Sequence, residues 1–228
     1  MSAGEFYYEQ KILENDLISL VPFDQDIHTS KLVHEVKTHD LLKFIPFPKF
    51  ESNEEFIKSF WAPVRDAPGE CLYAIIDKAT ARVSGESDAY AGTMALTATS
   101  KENAATEIGI MIFPAFQRTH VATNAVGLLL KYTLDPPPAG GLGLRRVEWK
   151  CHSENAGSRR AALRMGFEFE GIARWHRAFT LGDSAEELEK RNGTKGELRG
   201  RHTAIFAITW DEWDEKRPKV VALMERKH

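Results

Sequence analysis

Cysteine is nearly absent from this chain: Cys71 and Cys151 are the only two in 228 residues, too few for a disulfide framework or a four-ligand zinc site. Long hydrophobic runs are missing as well. The longest, near Ala125 to Leu130, is far too short to cross a bilayer. The opening Met-Ser-Ala-Gly-Glu-Phe-Tyr-Tyr-Glu has neither the basic start nor the apolar core of a secretory signal. The expectation is therefore a cytoplasmic protein with no membrane partner, in which Asn192-Gly193-Thr194 is a plain turn rather than a glycosylation site. Neither sign of charge dominates, since 30 Lys and Arg against 33 Asp and Glu leave a formal charge of −3. That balance removes any general attraction to nucleic acid while leaving room for a local basic patch. The phosphate loops Gly-x-x-x-x-Gly-Lys-Ser/Thr and Gly-x-Gly-x-x-Gly do not occur, which argues against an unrelated nucleotide binder. No repeat of fixed period and no low-complexity tract is present.

What remains suits a single domain spanning 1–228, with loop insertions near 135–143 and 183–201. Its apolar content of 43% is enough, at this length, to bury a sizeable core. Leu17, Ile18, Leu20 and Val21 around Ser19 predict a first strand buried on both faces and stopped by Pro22. Residues 24–37 then predict a helix with a modest stripe of Ile27, Leu32, Val33 and Val36. Phe44 to Phe50 form a proline-aromatic loop, and Ser52 with Glu55 reads as a capping box opening a helix that carries Phe56, Phe60 and Trp61. Leu72–Ile76, Gly92–Ala98 and Thr106–Ile112 are strand candidates whose polar or glycine-bearing connections favour an antiparallel meander. Thr203 to Trp210 returns as the last strand, with Trp210 and Trp213 packing it. Between them, Ser184 to Arg201 is rich in Glu, Lys, Arg and Gly, the composition of a solvated insertion with at most a short helix from Ala185 to Arg191.

The densest pattern runs from Glu107 to Gly171. Ile108, Ile110 and Ile112 alternate with Glu107, Gly109 and Met111, so this strand has two unlike faces, and Pro114 ends it. Val121, Ala122, Ala125, Leu128, Leu129 and Tyr132 then recur at helical spacing, which starts a helix close to Thr119 and turns its first amides toward the polar turn. Unpaired amides at the positive end of a helix dipole hold a pyrophosphate with little help from side chains, and Arg118 adds a planar cation. A strand over Val147–Cys151 follows, and the strand–helix–strand crossover predicts parallel, right-handed pairing. The loop Asp135-Pro136-Pro137-Pro138-Ala139-Gly140-Gly141-Leu142 within that crossover reads as an exposed insertion. Asn155-x-x-Ser158 caps a further helix.

Gln117-Arg118-Thr119-His120-Val121-Ala122 resembles the cofactor motif Gln/Arg-x-x-Gly-x-Gly/Ala of the GNAT acetyltransferase family, with His120 at the central glycine. The likeness continues through Leu142 to Val147, Asn155 to Ser158 and Met165 to Gly171, and it is nearest to the RimJ/RimL-type branch. The resemblance implies an α/β fold, a mixed, mostly antiparallel sheet flanked by helices and splayed at an acyl-CoA cleft. It also implies acetyl-CoA as co-substrate with no metal, and as acceptor a small-molecule amine or a protein N-terminus. A homodimer is one open arrangement. Ile110, Met111 and Ile112 would meet the pantetheine arm through main-chain groups, with an amide near Met111 or Ile112 facing the thioester oxygen. Gln117, Arg118, Thr119, His120, Val121, Ala122 and Thr123 would hold the diphosphate, and Asn155 would contact the pantetheine. Glu107 is the general-base candidate, with a strand-face salt bridge as its bland reading and Glu170 as an alternative base. Ser158 is the candidate acid for the departing thiolate. Arg159 and Arg160 either approach the adenosine phosphate or are solvated. Cys151 is either a buried inert thiol or a nucleophile, and direct attack in a ternary complex is the expected route. Phe44–Phe50, Phe56, Trp61 and Arg174–Arg177 are the acceptor-wall candidates, with core packing as the bland reading of the aromatic residues. A catalytically weak acyl-CoA sensor is the rival reading.

Overall fold

The computed structural model of the protein describes residues 6–47, 49–85, 89–178 and 200–226. Most of the predicted 183–201 insertion, the short helix Ala185 to Arg191 and Asn192-Gly193-Thr194 lie outside the described residues. β1 (Leu13–Glu14) and β2 (Ile18–Pro22) lead into α1 (Gln25–Thr38). Pro22 belongs to β2 as its last residue rather than stopping it, paired with Tyr73. Asp24 caps α1 by accepting from the amides of Asp26 and Ile27. Ile27 is 70% exposed, so it drops out of the expected stripe, and His28 and Thr29 are buried with Leu32 and Val33 instead. α2 (Asn53–Phe56) continues through a π-helical turn, Ile57–Trp61, into α3 (Ala62–Asp66). Ser52 accepts from the Glu55 amide as predicted, but the Glu55 carboxylate reaches one residue further back, to the amide of Glu51 at 2.7 Å.

β3 (Cys71–Asp77), α4 (Lys78–Ser84), β4 (Tyr90–Ser100) and β5 (Ala105–Ile112) follow. The three strands form the antiparallel meander. The interposed α4 buries none of its residues, so it lacks the apolar stripe by which a helix shows itself in sequence. α5 (His120–Leu134) crosses to β6 (Arg146–His152), which pairs parallel with β5. α6 (Ala156–Arg164), β7 (Glu168–Ala178), β8 (Gly200–Thr209) and α7 (Trp210–Met224) complete the described chain. The sheet has eight strands in the order β1-β2-β3-β4-β5-β6-β8-β7. Its mixed, mostly antiparallel character matches the expected fold class. No helix among the described residues is long and apolar enough to cross a membrane.

Two cores sandwich the sheet. One joins α5, α7 and the inward residues of the central strands, including Leu129, Val147, Phe167 and Phe206. The other joins α1 to α3 with Phe23, Phe50, Phe56, Leu72 and Phe113 on the opposite face. α5 is buried nearly all round, as a helix trapped between a sheet and a second helix must be.

The last helix departs from expectation. Thr209 and Glu212 form a full capping box, so Trp210 starts α7 instead of ending the last strand, and it is 60% exposed. Trp213 is buried and donates its indole N–H to Asp135 at 2.7 Å. Asp135 also accepts two bonds from Arg217, at 2.8 and 3.0 Å. The start of the predicted exposed loop is therefore a buried carboxylate, 4% accessible, that fastens α7 to the end of α5. Replacing it leaves a buried indole N–H and a guanidinium without their acceptor. Asp135→Ala is expected to lower the unfolding free energy in urea by about 2–3 kcal/mol; a change within about 0.5 kcal/mol would show that α7 is held by apolar packing alone.

Candidate functional site

β5 and β6 are paired only at Ala105–Arg146, Thr106–Val147 and Glu107–Glu148. Beyond Glu107 they separate. β4 continues along the far side of β5 from Thr97 to Gly92, so Ile108 to Ile112 have a bonded edge on one side and an unpaired edge on the other. Gly92 sets the end of that pairing. Its φ is +148°, and a Cβ there would lie 2.2 Å from the Met111 carbonyl oxygen, a position only glycine tolerates. Opposite it, the β3 pairing skips Ala91 in a bulge, which bends β4 where the cleft opens.

The turn below the cleft follows from its residues. Arg118 takes a left-handed conformation, φ 62°, and Thr119 caps α5 by accepting from the Val121 amide at 3.3 Å while donating to the Phe116 carbonyl at 2.7 Å. Gln117 donates to the Ile112 carbonyl at 3.0 Å. The strand end, the turn and the helix start thus form one braced corner.

A cleft of about 790 Å³ runs from this corner between β5, β6 and α6. Ile110, Met111, Ile112, Gln117, Arg118, Thr119, Ala122, Thr123, Asn155 and Ser158 all line it. Three expected residues do not. Val121 is fully buried in the core. His120 turns its ring away and bonds Asp77 through Nε2 at 3.0 Å; Asp77 in turn caps α4 through Thr80. Glu107 stands behind Lys150, which reaches the cleft and pairs with it at 3.2 Å. Arg160, Arg164 and Arg226 add cations to the lining. Arg159 instead donates to the Ser153 carbonyl at 3.1 Å.

Asn155 caps α6 by accepting from the Ser158 amide at 3.0 Å. Trp149 donates its indole N–H to Ser158 Oγ at 2.9 Å, which occupies an acceptor site on that oxygen and leaves the hydroxyl proton for another partner. Cys151 lies beside it in the cleft wall. Burial pushes the Cys151 thiol up, against a smaller opposing effect of the Ser158 hydroxyl, so the thiolate needed for covalent chemistry is disfavoured.

The other face of the opened strands carries charge. Glu107 and Glu148 are cross-strand partners, and Lys150 bridges them at 3.2 and 2.6 Å. Burial raises the Glu107 pKa, with the Lys150 charge pulling the other way. Glu148 is also penalised by burial, but hydrogen bonds from Lys150 and Arg146 outweigh this and lower it. Glu170 is bonded to Arg146 at 2.8 Å and held below the ordinary carboxylate range, a poor setting for a base. Leu41, Phe44 and Ile45 wall this side, and the Phe44 ring lies 5.3 Å from that of His152. Of the other expected walls, Phe50 and Phe56 are core residues, and Trp61 bonds Gln25 at 3.1 Å. The sequence pattern does not mark Lys150, Trp149 or Arg201 as site residues: the first two share a short strand in which Cys151 is the one thiol side chain, and Arg201 ends a segment that reads as solvated by composition.

No cluster of His, Cys, Asp and Glu among the described residues could hold a metal ion. Residues 18–168 match the acetyltransferase (GNAT) domain family. No curated protein matches the chain. A GCN5-related N-acetyltransferase from Brucella melitensis is 30% identical, with a TM-score of 0.74 over 97% of this chain and 89% of its own. A probable GNAT-family acetyltransferase from Chromobacterium violaceum is also 30% identical, with a TM-score of 0.73 over 94% of this chain and 92% of its own. RimL, the ribosomal L7/L12 α-N-protein acetyltransferase solved with coenzyme A, shares the fold at 18% identity and a TM-score of 0.66, over 88% of this chain and 99% of its own. With a family match across most of its length and a splayed sheet above a braced helix start, the chain belongs to the GNAT acetyltransferase family.

Proposed function

We propose that this protein transfers an acetyl group from acetyl-CoA to a primary amine by direct attack, with RimJ/RimL-type enzymes as its functional relatives. The observation that carries the reading is the cleft: an unpaired strand edge at Ile108–Ile112 leading down to a helix start lined by Arg118, Arg160 and Arg164. That combination suits a ligand with an amide-bearing arm and a diphosphate end, since an open edge takes main-chain hydrogen bonds and a helix start takes anions. The bound thioester supplies an activated acetyl group. The chain's residues supply the rest. The acceptor nitrogen bonds to the acetyl carbon and the carbon–sulfur bond breaks. Glu107 takes the amine proton through the Lys150-side opening, and Ser158 gives its hydroxyl proton to the leaving sulfur. The raised Cys151 thiol favours this route over an acetylated cysteine.

His120 is the family's glycine position, and its ring faces Asp77 rather than the cleft. His120→Gly should therefore leave coenzyme A affinity unchanged or weakened in a calorimetric titration. Tightening by about tenfold or more, roughly 1.4 kcal/mol, would mean that the imidazole obstructs the site. A wild-type titration with no heat would remove the reading altogether.

Glu107 acts as base only when ionised, and burial lifts its pKa above the ordinary 4.5. The acid limb of kcat/KM should rise with pH through a midpoint above that value, and Glu107→Gln should lower kcat/KM by about 100-fold and erase that limb. A variant profile that keeps the limb would transfer the role to another group. Coenzyme A binding without thiol release for any amine would favour an acyl-CoA sensor.

A further inference from the structure

Arg201 is 8% exposed, and its Nε is buried without a hydrogen-bond partner. It lines the cleft. The register places it: Thr203 pairs with His152 across β8 and β6, and residues two apart in a strand share a face, so Arg201 sits with Lys150 and Glu107 on the side away from Ser158. Across β7 its partner is Arg177, a second cation. Thr203 Oγ1, on the same face, is also unpaired but does not reach the cleft. Lys150 is already held by two carboxylates, which leaves Arg201, among the described residues, as a buried cation without a paired anion. Its pKa is depressed by burial, partly offset by Cys151 and Glu107 and pushed further by Arg177.

We propose that Arg201 binds a carboxylate of the acceptor, so that the substrate is an amine carrying a carboxylate, its nitrogen at Glu107 and its anion on the guanidinium. This rests on the amine-acetyltransferase reading of the cleft. A planar guanidinium pairs with a carboxylate through two parallel bonds. A dianionic phosphate fits less well, because Glu107 and Glu148 stand on the same face. The carboxylate belongs either to a small amino acid or dipeptide, or to an acidic residue at a protein N-terminus. The chemistry at Arg201 is the same for both.

The test compares matched acceptors by thiol release from acetyl-CoA: the dipeptide Ala-Ala against its C-terminal amide, and C-terminally amidated hexapeptides beginning with Glu against Gln. Wild-type protein is expected to favour the carboxylate member in at least one pair by about 30-fold in kcat/KM, and the productive pair identifies the source. Arg201→Met should collapse that ratio to below about threefold, and Arg201→Lys, which keeps the charge but not the planar fork, should give an intermediate ratio. No preference in either pair, or a preference that survives in Arg201→Met, overturns the assignment. If none of the four acceptors releases thiol, acetyl transfer to such amines fails as a reading. Calorimetry with the same compounds then decides Arg201 separately: binding of a carboxylate member by wild type that Arg201→Met loses supports it, and equal or absent binding overturns it. Should Arg201→Met not fold, Arg201→Lys decides in its place, and a ratio equal to that of wild type overturns the planar pairing.

Discussion

The separation of two parallel strands after three paired residues is the constraint on which the rest of this molecule depends. β5 and β6 meet at Ala105 to Glu107 and then diverge, and divergence leaves backbone amides and carbonyls without partners in the middle of a sheet. Such groups are costly to bury unsatisfied. The fold tolerates them because the opening is a cleft open to solvent, not a sealed void. Gly92 keeps β4 close against the far edge of β5, and the Gln117 bond to Ile112 ties the strand end to the turn. The open edge is thus rigid on one side and available on the other.

The two faces of the opened strands carry different chemistry for a simple geometric reason. Alternate residues of β6 point opposite ways. Trp149 and Cys151 look toward α6, where Trp149 orients the Ser158 hydroxyl. Glu148 and Lys150 look toward the aromatic wall of Phe44 and face Glu107. The Glu107 carboxylate and the Ser158 hydroxyl, to which we assign the two proton steps, therefore lie on opposite sides of one strand pair. Lys150 also moderates the burial of two carboxylates that would otherwise repel each other at the same level of the sheet.

The Asp77–His120 bond gives the departure from the family motif a structural role. A glycine at the helix start permits close approach of a phosphate. A histidine there needs a direction that leaves the approach free, and Asp77, already the cap of α4, offers one. The helix start is joined to the end of β3 through a single side-chain contact, at the site where the amides of α5 emerge.

Sequence by itself determined the central elements of this protein. Period-2 alternation from Thr106 to Ile112, the helical spacing after Thr119 and the Asn155–Ser158 cap are local patterns, and local hydrogen bonding and side-chain direction are enough to produce them. The order of those pieces also disclosed the family and ten of the residues that line the cleft, from Ile110 to Ser158. Tertiary structure alone decided the rest, because it depends on groups distant in the chain. Asp135 became a buried anchor only when Trp213 and Arg217 reached it, and α4, without a buried face, left no stripe to read. Glu107 acquired its raised pKa from burial beside Lys150, and His120 its direction from Asp77. Arg201, at the edge of a segment of solvated composition, is a buried cation because β8 inserts between β6 and β7, a pairing that no local pattern specifies.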